Sequence, residues 1–578
     1  MDPTFAAGRN APLANFTNIQ VMDAPVIPPA GALGDALNTG VIRNTSSTVM
    51  QNSPLEQYGA VTAGDYSRPG DPVKQFSIGV VDETAGDLTP SNSNFSSQRS
   101  RSNTPSTVSV GIPSVYFPSA ASYGSFELLV PQELAKNVGM ESLFSDEDSN
   151  VPFSIRSAWI PNERTSAALR ALADSVPASD FLGADQITNV GVFSDRLFAN
   201  PAFDLALKLV GTIPQSLLAI SPDVMIGNND VRSLVAQGFY SSAANVSAKL
   251  LGLIDQGFHR SGNSSRHTPE SLKIWQLRIA SLFMLQQYEQ ASKELEPFGD
   301  LDNPDLYLEF HRASFGDASS GSMVPSQLRL LHACLPAKLG NPKNSLERLF
   351  SSRNKIEALL NNALDGRLPA GVAQGNSHQF HSYWQEQRAK TLYQIVAVGI
   401  TSENFEVAIS TIKLLQKLLP SKAELLWHQC GLLYCHIGSY RLGRICFGKA
   451  DSFSSGTLQN YSVLARKAIL MLCEHSPVHA LEIYKEMHQR FPHDAPAANG
   501  VAVGYFYSGR MSESMAFLED LVFNKPKVFL TEQSIANLVG LYELQSIQVR
   551  QRKLRLLSLI CQHIPDGAFV RQLRLTET

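Results

Sequence analysis

The sequence predicts an all-α protein: a solenoid of tetratricopeptide-type helical hairpins, wound as a right-handed superhelix, behind a long N-terminal tail. Three observations carry that expectation. Residues 1 to about 150 show no sustained apolar period. From Asn162 onward, apolar residues recur at helical spacing. Toward the C-terminus a pattern of Trp, Gly, Tyr, Ala and Pro returns at intervals of about 34 to 37 residues, the length of such a repeat.

The chain has 578 residues, more than one compact core usually holds. The 48 basic and 52 acidic residues leave a net charge of -4, without the basic footprint of a nucleic-acid binder. The opening "MDPTFAAGRNAPLANF" lacks the basic and apolar regions of a signal peptide. No apolar run approaches the roughly 20 residues of a membrane span. A cytoplasmic protein is expected, in which sequons such as Asn245-Val246-Ser247 are chance matches. The six cysteines form no C-x-x-C pair and read as buried thiols of a reducing compartment. Cys430, Cys435, Cys446 and a histidine are the alternative zinc set, with looser spacing than structural zinc ligands show.

The tail, residues 1–150, is rich in Ser, Thr, Asn, Pro, Gly and Ala. Such a segment cannot bury enough surface to offset its ordering entropy, so disorder is expected, with short strands in "GIPSVYF" and "SFELLV" as the alternative. It carries candidate phosphosites. Arg99 stands three residues before Ser102, and Arg101 three before Thr104, which Pro105 follows. Ser53 and Thr89 each precede a proline, and Ser145 precedes Asp146, Glu147 and Asp148. Phosphorylation would add about -1.5 to -2 charge at each. The plainer reading is a solubilising tail with chance kinase matches.

Residues 155–224 are expected to hold a linker and N-terminal helices: "NERTSAALRALADS", then "PAFDLALKLVGTIPQSLL" ended by Pro214. The solenoid follows over 225–526, as about seven units. Its clearest unit has Trp427, Gly431, Tyr434, Gly443, Phe447 and Ala450. The next has Leu464, Ala468, Met471, Ala480, Tyr484 and Pro492; a third has Ala502, Tyr505, Gly509, Ser514, Leu518 and Pro526. Small residues at Gly431, Gly443, Ala468, Ala480, Ala502 and Ser514 are placed where two helices cross closely. Bulky Trp427, Tyr434, Phe447, Tyr484 and Tyr505 fill the space beside them. Upstream, Trp275, Tyr288 and Ala291 stand in the same relation, as do Gly340 and Ser345. Residues 527–578 read as capping helices, with the basic run Arg550 to Arg555 on a solvated end.

The stretch "ELEPFGDLDNPDLYLEF" interrupts the helices. Pro297 stops one helix and Gly299 provides a turn. Asn303 caps the next helix, with Pro304 at its first position and Asp305 at its positive N-terminus. Phe298, Leu301 and Tyr307 are expected to set the angle between neighbouring helical pairs. Asp300 and Asp302 read as replaceable surface charges, the alternative being direct docking of a partner. A cation on Asp300, Asp302 and Asp305 would lack the glycine and distal glutamate of a calcium loop.

At this point a resemblance appears. "ASKELEPFGDLDNPDLYLEF", "GSMVPSQLRLLHA" and "LGNPKNSLERL" resemble the subunit 12 family of the trafficking protein particle (TRAPP) complex, over roughly 225 to 575. EPFG, NPDLY and GSMVP are its marks, since a generic tetratricopeptide repeat does not need them. The connection "HRASFGDASSG" departs from the tyrosine-rich form associated with the family. The resemblance implies a subunit of TRAPP III, acting in endoplasmic reticulum to Golgi traffic, Golgi organisation and autophagy. Implied partners are the small core and large peripheral TRAPP III subunits and, indirectly, a Rab GTPase and vesicle membranes. The implied location is the ER–Golgi intermediate compartment and early Golgi. The family has also been linked to mitotic kinetochores.

No G-x-x-x-x-G-K-[ST], H-E-x-x-H or G-x-S-x-G signature is present. Ser352 and Lys355 form an S-x-x-K pair read as a solvated helix face, and His378 and His381 lie one turn apart without a third ligand. The reading is a non-catalytic scaffold without cofactor, metal or nucleic acid. The alternatives are a free, phospho-regulated peptide adaptor, then an enzyme acting alone.

Overall fold

The computed structural model describes residues 151–174, 188–211, 228–316, 320–369, 371–454, 458–545, 548–566 and 568–575. The chain divides into two units, Met1–Pro105 and Ser106–Thr578, and every described residue belongs to the second. The candidate phosphosites Ser53, Thr89, Ser102, Thr104 and Ser145 lie outside the described residues, as do the segments "GIPSVYF" and "SFELLV".

The described residues are overwhelmingly helical. A short helix α1 (Phe153–Arg156) precedes α2 (Glu163–Asp174) and α3 (Pro201–Val210). Asn200 caps α3 by accepting from the amides of Ala202 and Phe203, and Pro201 begins it. The helix ends at Gly211, in the left-handed region at φ 77°, and not at Pro214, which lies outside the described residues.

Helical pairs follow: α4 (Asn228–Ala236) with α5 (Tyr240–Gly252), and α6 (Pro269–Met284) with α7 (Tyr288–Leu295). After the joint and the short α8 (Arg312–Phe315), α9 (Ser326–Lys338) pairs with α10 (Pro342–Leu364). The pairs α11 (Ser377–Thr401) with α12 (Phe405–Leu418), and α13 (Ala423–His436) with α14 (Tyr440–Phe453), come next. Then stand α15 (Leu458–Cys473) with α16 (Pro477–Arg490), and α17 (Ala495–Tyr507) with α18 (Met511–Asn524). A short α19 (Pro526–Phe529) leads to the last pair, α20 (Glu532–Gln545) with α21 (Val549–His563).

Four of the described pairs share one crossing spacing. The Ser514 hydroxyl donates to the Ala502 carbonyl at 2.7 Å, and Ser345 to that of Ala333 at 2.5 Å. Each joins the second helix of a pair to a small residue of the first, and Gly431 with Gly443 and Ala468 with Ala480 repeat that separation. A side chain larger than these would push the helices apart.

Two further features position the N-terminal segment. β1 (Asn189–Val190) and β2 (Asn263–Ser264) form a two-residue antiparallel ladder, Asn189 opposite Ser264. Ile155 and Ala158 pack with Ile356, Phe380 and Trp384 of α10 and α11, and the Trp384 indole donates to the Ile155 carbonyl at 3.2 Å.

The last pair packs back toward the first. Ala202 and Ala206 of α3 share a core with Leu538, Leu557 and Ile560. Asp566 accepts the Ser241 amide at 2.6 Å and its hydroxyl at 2.7 Å, while Asn200 Nδ2 donates to the Pro565 carbonyl. The run Arg550 to Arg555 is therefore not a uniformly solvated end. Lys553 is buried against Glu543 at 2.7 Å, and Arg552 lies over the Tyr542 ring at 5.4 Å.

Candidate functional site

The joint between α7 and α9 is where the structure concentrates polar interactions. Helix α7 gives way at Pro297 to a 3-10 turn, Glu296–Phe298. Gly299 then takes φ 58° and Leu301 φ 61°. For Leu301 that backbone costs about 1–2 kcal/mol, and burial of its side chain offsets it. Phe298 is fully buried, edge-on to Trp275 at 5.5 Å and beside His267 at 5.1 Å. The Trp275 indole donates to Gln256 Oε1 at 2.7 Å, so the cluster has no orphaned indole.

The restart differs from the helix expected at Asn303. Pro304–Leu306 is a 3-10 turn without a side-chain cap. Asn303 Nδ2 donates instead to the Thr188 hydroxyl at 2.9 Å. Asp305 does not serve a helix N-terminus: it is buried and accepts the Thr188 amide at 2.8 Å and hydroxyl at 2.9 Å. Burial raises its pKa, and the two Thr188 hydrogen bonds oppose that shift.

Asp302 is the centre of the joint. Only 2% exposed, it accepts from the Asn162 amide at 2.7 Å, from Lys355 Nζ at 3.0 Å and from the Tyr307 hydroxyl. Its backbone carbonyl accepts from the Thr165 hydroxyl. Exposed Asp300 accepts from Asn162 Nδ2 at 3.2 Å. Asp300 and Asp302 are thus not interchangeable surface charges, for Asp302 secures the segment that starts α2 to the repeat array. Lys355 is likewise not on a solvated face; it pairs with Asp302 and stands 5.5 Å from the Trp159 ring. Burial raises the Tyr307 pKa, so its phenol stays a donor toward Asp302.

The motif "GSMVP" closes the joint from the other side. The Ser322 amide donates to the Ser157 carbonyl at 2.7 Å, and the Met323 amide to that of Leu306 at 2.9 Å. A Cβ on Gly321, at φ 111°, would lie 2.4 Å from the Ser157 oxygen, so only glycine fits. Arg329 donates to Ser322 Oγ at 2.6 Å and lies 4.4 Å over the Trp159 ring. The joint thus gathers residues far apart in sequence: Ser157, Asn162, Thr165, Thr188 and Lys355.

At the helix crossings, a Cβ on Gly431 would meet the Phe447 ring at 2.4 Å, and one on Gly443 the Cys435 sulfur at 2.6 Å. Trp275, Ala291, Phe447, Ala468, Ala480, Tyr484, Ala502 and Ser514 are buried. Tyr288, Trp427, Tyr434 and Tyr505 are only half-buried and do not fill closed gaps. Trp427 lies under Lys449 Nζ at 4.4 Å, and Tyr505 between Lys485 at 4.6 Å and Arg510 at 4.8 Å, so these rings support cations at the surface. Gly500 was missed: a Cβ there would stand 2.3 Å from Tyr484. Its spacing with Gly504 in "NGVAVG" is the available signal. A buried ion pair without a signal in the sequence joins Arg278 to Glu294 at 2.6 Å, and Arg278 reaches the Ala244 carbonyl of α5 at 2.7 Å.

Cys430 and Cys446 bring their sulfurs to 3.8 Å within the core, whereas Cys435 faces Cys473, which is half-buried. This splits the alternative zinc set, and no group of three or more His, Cys, Asp or Glu among the described residues is arranged to hold a metal. His378 is exposed and His381 half-buried on α11. No helix among the described residues is long and apolar enough to cross a membrane.

No protein-family profile matches the chain. Two relatives do. The chain is 28% identical over 428 residues to trafficking protein particle complex subunit 12 of Homo sapiens, and 27% identical over 428 residues to that of Mus musculus. Each alignment covers 72% of this chain; it spans 58% of the human relative and 54% of the mouse one. An all-α array of helical pairs lies beneath that alignment, over which the chain is similar to trafficking protein particle complex subunit 12.

Proposed function

We propose that the chain is a non-catalytic scaffold subunit of a TRAPP III tethering and Rab-exchange assembly. Its implied work is endoplasmic reticulum to Golgi transport, Golgi organisation and autophagy. The observation that carries the reading is an alignment with two TRAPP subunits over 72% of the chain. The architecture supports it: stacked helical pairs present extended surface, which suits partner proteins more than a buried reaction centre. The proposed organisation is a tail over 1–150, N-terminal helices over 155–224, tetratricopeptide-like repeats over 225–526 and capping helices over 527–578. The protein is proposed to reside in the cytoplasm at early Golgi membranes, meeting its Rab GTPase through the small core subunits.

The test is affinity purification of the tagged full chain from native lysate, followed by sizing and mass spectrometry. Stable co-migration with small and large TRAPP subunits is expected. Elution as a monomer without TRAPP subunits would overturn the reading in favour of a free adaptor.

A further inference from the structure

A cleft of about 50 Å³ lies where α1, α4, α6 and the start of α9 meet. Arg156, Arg232 and Lys273 line it, Arg232 being already engaged elsewhere, and among the described residues no carboxylate does. The Arg156 Nε is buried without a hydrogen-bond partner among the described residues. Lys273 is engaged by Glu270 at 3.0 Å, outside the lining, in a pair exposed enough to exchange partners. The first turn of α9 adds a second source of positive potential. Ser326 and Gln327 line the cleft, and the helix begins at Pro325 with no side-chain cap over its leading amides. The volume holds about four water-sized groups, the size of one tetrahedral oxyanion.

We propose that this cleft is a phosphate-binding site, and that its occupant is phosphorylated Ser145 of the same chain. The argument for the occupant is position and charge. Phe153 lines the cleft, and Ser145 precedes it by eight residues, which span at most about 26–29 Å when extended. Asp146, Glu147 and Asp148 follow Ser145 directly, a sequence that favours acid-directed phosphorylation and adds negative charge. A phosphoryl group carries about -1.5 to -2 charge and three acceptor oxygens, which the Arg156 guanidinium, the Lys273 ammonium and helix amides satisfy, with Arg232 adding positive potential. Docking would tie the end of the tail to α4, α6 and α9 in a kinase-dependent way. The inference does not depend on the TRAPP reading.

The experiment uses the full chain and a fluorescent peptide of residues 140–151 carrying phosphoserine at 145, read by polarisation. Expected are binding at least about tenfold tighter than the unphosphorylated peptide, and a weakening of at least about fivefold in Lys273→Gln and in Arg156→Gln. Each variant is melted alongside; Lys273→Gln, at a partly exposed position, keeps the test valid if Arg156→Gln unfolds. Full chain bearing phosphoserine at 145 should bind the labelled peptide at least about tenfold more weakly, its site being filled. Equal affinity for the two peptides, insensitivity to both substitutions, or undiminished binding by the phosphorylated chain would each overturn the proposal. So would preference for phosphatidylcholine vesicles containing phosphatidylinositol phosphate over the peptide.

Discussion

Asp302 and Asp300 differ by two positions and by their whole energetic role. Asp302 holds three donors in a buried site, so its removal leaves the Asn162 amide and the Tyr307 hydroxyl without their acceptor. Lys355, 26% exposed, can turn to water, which lowers the cost below that of a sealed ion pair. Asp302→Ala is expected to destabilise the protein by about 2–3 kcal/mol in urea unfolding, and Asp300→Ala by no more than about 0.5–1 kcal/mol. Equal effects would show that Asp302 is not the hub. Phe298→Ala, which empties the space against Trp275, should cost about 3–5 kcal/mol. A variant that melts like the parent would remove the joint from the structural core.

Within the helical pairs, the crossing residues limit how large a side chain can be. Ala480 is fully buried on α16, and Ser512 is exposed on α18. Ala480→Leu should overpack its crossing by about 1–3 kcal/mol, whereas Ser512→Leu stays within about 0.5 kcal/mol. Gly431→Ala should fall in the first class, because its Cβ would stand inside the Phe447 ring contact. Thermal melting of the three variants separates the outcomes: if Ser512→Leu matches Ala480→Leu, the helix faces are wrongly assigned. The glycine and alanine positions were readable as a recurrent spacing, since a crossing repeats with the helix pair. The half-buried rings were not, because a Trp or Tyr at that spacing can pack inward or support a surface lysine.

Across the molecule, the contact of the last pair with α3 and α5 couples distant parts of the array. Stacked repeats normally fray from their ends. Here, deleting residues 549–578 should raise amide exchange at Tyr240–Val246, where Asp566 otherwise accepts from Ser241. Unchanged exchange there would mean the closure contributes nothing. Acid sensitivity is a second property of the whole. Burial lowers His428 from 6.5 to about 3, helped by nearby Arg466; it lowers His332 to about 3 and His267 to about 4. Below 6.5 the unfolded chain binds protons at these sites that the folded chain does not. Their contribution to stability is therefore complete above 6.5 and is lost as pH falls toward 4 and 3. The melting temperature should drop over that window, and His428→Phe, keeping the stack on Phe447, should flatten the drop. An identical pH profile in the variant would show that His428 does not titrate on unfolding.

The helical class and the break at "EPFGDLD" were legible from the sequence alone, because helix periodicity, proline stops and left-handed glycine turns act over a few residues. A local signal could not identify Thr188 as the partner of Asp305, or Asn162 as that of Asp302, 117 and 140 residues away. Composition marks both aspartates as surface residues, and only the folded chain desolvates them and supplies donors. The same holds for Lys355, for Arg278 with Glu294, and for the return of Asp566 to Ser241. Pair geometry is written in short-range spacing. The choice of which pairs meet, and which charges are buried between them, is made by long-range packing, where burial and hydrogen-bond satisfaction are decided together.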